Sequence, residues 1–434
     1  NMKWLLYSGT IVSGVIAVIS KEIAATLPFF IFLYEWYFFQ DLSRTWFRKK
    51  ALWLIVLAAV SAVLVFVFLG TDIISVILCD YERRDFTLGQ RVLTELRVVL
   101  FYLSLLAFPH PSRLSLEHDI PLSYSLLNPV TTLLSLVAII ALLGLAMVTA
   151  RKYRLLSFAL IWYFGNLVIE SSVIGLEIIF EHRTYLPSMF LSAVFVEAVF
   201  RYIKPRWAGI AAVCLIIGVF SVWTYQRNGV WADKILFCKD TIKKVPTSIR
   251  AQANLGIAYI DKGEVDEAIA CFSRALELDD KQYGLYRLMG NALMKKNRYE
   301  EALVYFQKGM ALASDDEGRL LFHIHMGTAL ARLARHDEAI DNYRRALKIK
   351  PNSEAAHNLM GMSLSEQGKP EEAVREFREA VRINPGYVEA YNNMANVYSH
   401  EGRPDDALRF YGEALRVEPG YADARYNMAN LLML

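Results

Sequence analysis

The chain has 434 residues, of which 55% are hydrophobic, with a mean hydropathy of +0.27 and a formal net charge of +3. A charge balance this close to neutral argues against a nucleic-acid-binding protein, and the apolar content is too high for a disordered chain. The average conceals two parts, because long apolar runs fill the first half and the second half reads as an ordinary soluble helical segment. We therefore expect an all-α protein that consists of a polytopic membrane domain followed by a soluble domain.

The first half contains seven runs that are long and apolar enough to cross a bilayer, which takes about 20 residues. They lie at about residues 4–20, 23–39, 51–69, 129–149, 155–175, 186–203 and 207–225. An eighth run, at 98–108, is shorter, and charged residues precede it at helical spacing. We expect residues 91–108 to form an amphipathic or re-entrant helix at the outer membrane face. Residues 1–226 are thus predicted to be the membrane domain.

Basic side chains mark the loops that we expect on the inner side of the membrane. Three short loops are rich in Lys and Arg, and they are Arg44–Lys50, Arg151–Arg154 and Arg201–Arg206. Because basic loops stay inside, the long loop at about 70–128 and the chain beyond residue 225 are predicted to lie outside. The sequence therefore predicts a multi-pass membrane protein with its C-terminal part on the outer side. We expect a bacterial inner membrane and a periplasmic C-terminal part, and an ER membrane with a lumenal C-terminal part is the alternative.

From residue 249 onward, small and aromatic residues recur with a period of 34, which is the period of tetratricopeptide repeats (TPRs). The small residues are Gly256, Gly290, Gly327, Gly361, Ala395 and Ala429, and the aromatic residues are Phe272, Phe306, Tyr343, Phe377 and Tyr411. One spacing is three residues longer, and we place the insertion near 314–318. Residues 249–434 are predicted to form a TPR α-solenoid of five full repeats and a partial sixth, joined to the membrane domain by a helical linker at 227–248.

Asparagines recur on the first helix of the repeats. Asn254, Asn393 and Asn427 share one repeat position, and Asn291, Asn396 and Asn430 share another. Each amide offers a donor and an acceptor, so amides in register are able to hold an extended peptide by its backbone. The alternative is that asparagine is simply common in repeats of this class. The sequence predicts a protein or peptide partner on the concave face, and no cysteine spacing predicts a metal site.

Charged residues also gather where the predicted spans end at the outer face. The strongest candidates are Lys21, Glu22, Glu181, His182, Arg183 and Tyr185. Charges beside spans are costly and often functional, and Arg, His and Lys suit a phosphate at the membrane surface. The competing interpretation is that these side chains anchor helix ends or pair with one another.

Several segments resemble the membrane module of the transmembrane-and-TPR O-mannosyltransferase-like family, whose bacterial relatives pair a similar module with repeats. They are Ser20–Glu22 with Leu27–Pro28, the Pro121–Ser123 loop, Glu170–Ser172 and the run Glu181–Ser188. The segments Ala390–Asn396 and Asp423–Asn430, in the last two repeats, also resemble the peptide-binding repeats of O-linked N-acetylglucosamine transferase. The family resemblance implies a polyprenyl-phosphate-linked sugar as donor substrate near the outer face, contact with membrane lipid, and an acceptor protein presented by the repeats.

On this resemblance, His182 and Arg183 hold the donor phosphate, Glu181 orients them and Lys21 adds charge. The family's catalytic acid belongs to the first outer loop, where this sequence has only Lys21 and Glu22. The catalytic residue is therefore unknown and is expected upstream, and no cofactor is predicted. A non-enzymatic membrane-anchored scaffold for envelope, pilus or secretion complexes is the alternative. A transporter fits less well, because no pair of similarly interrupted spans suggests inverted repeats.

Overall fold

The computed structural model describes residues 26–69, 81, 86–115, 117–171 and 184–433. Regular structure in these ranges is helical, and they contain no β-strand. The chain divides into two compact units. Residues 1–233 and 243–245 form the N-terminal unit, and residues 234–242 and 246–434 form the repeat unit.

Seven helices are described in the N-terminal unit. They are α1 (Leu27–Phe38), α2 (Arg44–Leu69), α3 (Leu88–Ala107), α4 (Thr131–Thr149), α5 (Arg154–Glu170), α6 (Tyr185–Tyr202) and α7 (Arg206–Trp231). Within the described ranges, α4 and α7 are long and apolar enough to cross a membrane, and only 11% and 6% of these stretches are buried. The apolar stretch Arg154–Val168 is shorter. The remaining predicted spans stay predictions, and the run at 4–20 lies outside the described residues.

Helix α5 lies at the centre of the core of the N-terminal unit. Its Phe158 and Trp162 pack with Phe30 of α1, and the ring centroids of Phe30 and Trp162 are 4.5 Å apart. Its Tyr163 packs against α3 and donates a hydrogen bond of 2.7 Å to the carbonyl oxygen of Val99. Because aromatic side chains bury large areas, these contacts join α1 and α3 through α5.

Helix α3 begins with a capping box, in which Thr87 and Gln90 exchange side-chain-to-backbone hydrogen bonds. One turn further on, Arg91 Nη2 lies 3.1 Å from Glu95 Oε1, and these side chains are 0% and 2% exposed. The amphipathic helix predicted at 91–108 therefore exists as α3, and its charged pair faces the interior of the unit. No described feature assigns the helix a position relative to a membrane.

The repeat unit begins with residues 234–242 of α8 (Lys234–Lys244) and continues as five helix pairs and one further helix. In chain order these are α9 (Ile249–Lys262), α10 (Val265–Leu278), α11 (Tyr283–Lys295), α12 (Tyr299–Leu312), α13 (Asp316–Arg332), α14 (His336–Ile349), α15 (Glu354–Glu366), α16 (Pro370–Ile383), α17 (Val388–His400), α18 (Pro404–Val417) and α19 (Ala422–Leu432). We call the first helix of each pair helix A and the second helix B. The insertion near 314–318 lengthens α13 at its start, where Asp315 accepts a hydrogen bond from the Gly318 amide.

Each pair closes where the small residue of helix A meets the aromatic residue of helix B. A Cβ atom added at Gly290 would lie 2.2 Å from Cε1 of Phe306, and one at Gly327 would lie 2.6 Å from Cε1 of Tyr343. Both rings are buried. A side chain at these glycines would displace a ring in the core, which explains why helices A and B need glycine there.

Helix B starts with two acidic residues in each complete repeat, and these carboxylates stabilise the positive end of the helix dipole. In three repeats the arginine that precedes helix B holds one of them. The pairs are Arg298–Glu301, Arg335–Glu338 and Arg403–Asp406, at 2.6, 2.7 and 2.5 Å. The same local charge pattern thus sets the start of successive helices.

His357, in the first turn of α15, forms a contact that depends on its protonation. Its Nδ1 lies 2.7 Å from Glu376 Oε2 and its Nε2 lies 3.2 Å from the carbonyl oxygen of Pro351. Both neighbours are acceptors, so the imidazolium satisfies both contacts whereas the neutral ring satisfies one. The hydrogen bond to Glu376 raises the pKa of His357, partial burial opposes this, and the charge of Glu379 adds to the increase.

We expect His357→Gln to destabilise α15 and α16 at low pH more than at high pH. A raised folded pKa contributes stability that is fully present below the unfolded pKa and is lost as the pH rises through the folded value. Hydrogen bonds to charged groups contribute about 1.5–3 kcal/mol, and the lower end of that range is expected here near pH 5. Hydrogen exchange of the full chain near pH 5 and near pH 9, corrected for intrinsic rates, measures the difference. His400→Gln, at the exposed end of α17, is the control. Equal losses at both pH values for His357→Gln would contradict the interpretation.

Candidate peptide-binding surface

Four positions of helix A define what we call the inner face of the repeat unit. Counted from the small residue that meets the aromatic ring, they lie three and two residues before it, and one and five residues after it. At 3.6 residues per turn, these positions fall on one side of the helix, within an arc of about 100°. Stacked repeats place equivalent positions next to one another, so the four positions form a continuous surface.

All six predicted asparagines lie on the inner face, but they form interrupted rows. Asn254 is exposed, and the other five are partly buried. In the row two residues before the small residue, the intervening repeats carry Leu288, His325 and Leu359. In the row one residue after it, the other repeats carry Ile257, Thr328 and Met362. A single ladder of amides along the whole array is therefore not formed.

Amides contact one another across repeats at the C-terminal end of the array. Asn393 Nδ2 donates to Asn358 Oδ1 at 2.9 Å, and Asn427 Nδ2 donates to Oδ1 of both Asn392 and Asn396 at 3.2 Å. We call these five residues the amide cluster. Asn358 and Asn392 were not predicted, although their spacing of one repeat length was visible in the sequence. The cluster brings together three of the predicted residues.

Helix B also contributes to the amide cluster. The hydroxyl of Tyr411 donates to Asn396 Oδ1 at 2.6 Å, and burial raises the pKa of Tyr411, so it stays a donor at neutral pH. Asn393 and Asn427 use their Nδ2 atoms within the cluster. Their Oδ1 atoms accept no hydrogen bond from the described residues, and each is available to a peptide N–H. The cluster therefore offers oriented acceptors to an extended backbone.

Most of the predicted donor-binding residues lie outside the described residues, and these are Lys21, Glu22, Glu181, His182 and Arg183. Tyr185 is described, begins α6 and is 85% exposed. The phosphate-binding cluster at the outer face thus stays a prediction. Among the residues that the structure describes, no group of three or more His, Cys, Asp or Glu side chains is arranged to hold a metal ion.

Comparison with known families identifies the repeats. Tetratricopeptide-repeat family models match residues 249–282, 284–352 and 352–419. Residues 249–419 are tetratricopeptide repeats. The tetratricopeptide period, the five helix pairs and the small-to-aromatic contacts agree with this assignment. Repeats of this class present extended surfaces to proteins and peptides, so the repeat unit of this TPR chain is a protein-interaction module.

Some curated relatives of the TPR chain carry enzyme names, but the similarity is partial. Protein O-mannosyl-transferase Tmtc3 of Drosophila melanogaster is 31% identical over 83 residues, which are 19% of this chain and 9% of the relative. Protein O-mannosyl-transferase TMTC2 of Homo sapiens is 27% identical over 101 residues, which are 23% of this chain and 12% of the relative. The chain thus spans about a tenth of the length of these relatives. This similarity supports the TPR part and does not extend to a membrane module.

A solved structure similar to the chain is YrrB, a TPR protein described as having an unusual peptide-binding site. It is 24% identical, covers 44% of this chain and 96% of its own, and superposes with a TM-score of 0.34.

Proposed function

We propose that this chain is a multi-pass membrane protein whose TPRs lie outside the cytoplasm and present acceptor proteins to a polyprenyl-phosphate-sugar-dependent glycosyltransferase. The observation that carries the proposal is the presence, in one chain, of TPRs similar to those of O-mannosyl-transferases and of apolar helices with little buried surface. Lipid is the natural cover for such helices, because exposed apolar surface of this length is unfavourable in water.

The acceptor protein binds the inner face of the repeats in this proposal. The amide cluster supplies acceptors for the N–H groups of an extended segment, and its cross-repeat hydrogen bonds fix their orientation before binding. Preorganised groups lose less conformational entropy when they bind, so this arrangement favours backbone recognition. Backbone recognition tolerates many acceptor sequences, which suits an enzyme that modifies more than one protein.

The donor lipid binds at the outer ends of the spans in this proposal. Lys21, His182 and Arg183 hold the phosphate through charge-assisted hydrogen bonds, and Glu22, Glu181 and Tyr185 orient them or contact the sugar. Such hydrogen bonds are short and strong, and an arginine fork matches phosphate geometry.

Intact-mass analysis of co-expressed envelope proteins, with and without the full-length gene, tests the proposal. We expect a hexose-sized mass increase on one or more of these proteins only in cells that carry the gene. Identical masses in both cultures would overturn the glycosyltransferase assignment.

Arg183→Ala is expected to abolish transfer, with a loss of about a thousandfold or more, because it removes the bidentate partner of the donor phosphate. Arg151→Ala is the matched control, since Arg151 is an exposed arginine of a predicted inner loop. Both variants should reach the membrane in equal amount. If the Arg183→Ala variant transfers sugar at the rate of the Arg151→Ala control, Arg183 does not bind the donor phosphate.

A membrane-anchored scaffold for envelope, pilus or secretion complexes is the second candidate. The tetratricopeptide-repeat family models match the repeats, which are a protein-interaction module, and this favours a scaffold. Affinity purification of the full chain separates the two candidates. A scaffold retains stoichiometric partners through its TPRs and leaves their masses unchanged, whereas an enzyme releases its modified acceptors.

A further inference from the structure

Three cations occupy the inner face in the second and third repeats. Arg287 lies three residues before Gly290, and Lys295 lies five residues after it. Arg332 lies five residues after Gly327, so Lys295 and Arg332 hold equivalent positions on consecutive A helices. We call Arg287, Lys295 and Arg332 the basic patch. No acidic residue occupies the four inner-face positions of these two repeats.

The basic patch differs from many other cations of the repeat unit in that no described carboxylate forms an ion pair with it. Arginines before helix B hold acids of the same helix, and Lys296, the neighbour of Lys295, pairs with Asp266 at 2.9 Å. The acid beside the third repeat, Asp315, is engaged by the Tyr283 hydroxyl at 2.8 Å and by the Gly318 amide. The positive charge of the patch is thus not neutralised by an ion pair within the described structure.

Uncharged side chains lie beside Arg287 on its own helix and on the next A helix. His325, on the next A helix, stacks on Phe306 with ring centroids 5.3 Å apart. Burial lowers the pKa of His325 to about 4, and the positive charge of Arg287 acts in the same direction, so the imidazole is neutral at physiological pH. Leu288 and Met294 are partly buried on the same helix as Arg287. Arg287 is partly buried among these groups, and the attraction of a charge to an opposite charge is stronger at a partly buried site than in bulk water.

The sign of the charge changes further along the array. Five residues after the small residue, the fourth repeat carries Glu366, where the second and third carry Lys295 and Arg332. The uncharged amide cluster lies in the fourth, fifth and sixth repeats. A bound segment is therefore attracted by positive charge in the second and third repeats and by backbone hydrogen bonds further along the inner face.

We propose that the basic patch recognises an acidic stretch of the partner protein, which carries two or three carboxylates in an extended segment. The inference rests on the proposed role of the repeats in binding a protein, and it adds the chemistry by which the partner is selected. Carboxylates complement the unpaired guanidinium and ammonium groups, and charge complementarity of this kind gives specificity and a faster association rate.

Fluorescence anisotropy of the full chain in neutral detergent tests the inference with two labelled peptides, one of alternating Glu and Ser and one of alternating Gln and Ser. We expect the Glu peptide to bind at least about tenfold more tightly, and the difference to shrink as salt is raised. The triple variant Arg287→Gln, Lys295→Gln, Arg332→Gln should lose this preference.

The matched control removes the same charge from B helices, through Arg344→Gln, Lys348→Gln and Arg375→Gln, which are exposed side chains outside the inner face. It should keep the preference for the Glu peptide. Arg287 is partly buried, whereas Lys295 and Arg332 are exposed. If the triple variant unfolds, the double variant Lys295→Gln, Arg332→Gln replaces it in the assay. This double variant should weaken Glu-peptide binding about threefold or more.

Equal binding of the two peptides by the unmodified chain would overturn the inference, and so would equal losses in the patch and control variants. The outcome is independent of sugar transfer. Selection of the Glu peptide through the patch, together with unchanged protein masses in cells that carry the full-length gene, supports the acidic partner and contradicts the glycosyltransferase proposal.

Discussion

Replacing Gly290 with valine is expected to unfold the second repeat locally, with a loss of about 3 kcal/mol in local stability. A Cβ atom at this position would lie 2.2 Å from Cε1 and 2.7 Å from Cζ of Phe306, well inside van der Waals contact. Phe306 is fully buried, so its ring can move only by displacing the side chains that pack around it. Overpacking of a close-packed core costs about 1–3 kcal/mol, and a branched side chain that separates two helices belongs at the upper end.

Hydrogen exchange of the full chain measures this effect by location. Amides of α11 and α12 should lose protection, and those of the first and third repeats should lose part of theirs, because each repeat contacts its neighbours. Gly412→Ala is the control: a Cβ there meets no atom within 4 Å, and alanine should stabilise α18 by about 0.4–1 kcal/mol. Unchanged protection of α11 and α12 in Gly290→Val would show that the helices have room to separate.

Breaking the buried ion pair of α3 is expected to destabilise the N-terminal unit by about 3–5 kcal/mol. Arg91→Met leaves the Glu95 carboxylate at 2% exposure without the guanidinium that lies 3.1 Å away. The double variant with Glu95→Leu removes both charges and should recover most of the loss, since an apolar pair of similar volume is tolerated where a single buried charge is not.

Tryptophan fluorescence follows this unit alone, because all eight tryptophans precede residue 232. Thermal unfolding of the full chain in detergent should show a lower midpoint for Arg91→Met and a partial return in the double variant. Arg201→Met is the control, because Arg201 forms a similar one-turn pair with Glu197 at 3.6 Å, with both side chains about half exposed. Exposed pairs contribute about 0–1 kcal/mol. A midpoint for Arg91→Met equal to that of the control would mean that the buried pair contributes little.

Most features of residues 249–434 that could be predicted follow from the repeat period. Two helices that approach closely require a small residue at their contact and an aromatic ring to fill the space beside it, which accounts for Gly290 and Phe306. This requirement is local to each repeat. The three-residue insertion was also visible as a broken spacing. Its effect was not, because whether added residues loop out or extend α13 depends on the cap that Asp315 provides.

The candidate binding surface was predicted in part. The sequence places asparagines at two recurring repeat positions. The repeat position of an asparagine does not determine which group its side-chain amide bonds to. Asn393 and Asn427 bond to amides at a third position, held by Asn358 and Asn392, because consecutive A helices bring different positions into contact. The unpaired cations escaped prediction for the same reason, since ion pairing in space decides which charges remain available.

The sequence by itself determined the tetratricopeptide repeats and the apolar character of the first half, because periodicity and hydropathy are properties of neighbouring residues along one chain. Only the tertiary structure decided which amides form a cluster, which cations stay unpaired and that Arg91 and Glu95 are buried, because these depend on residues distant in sequence meeting in space.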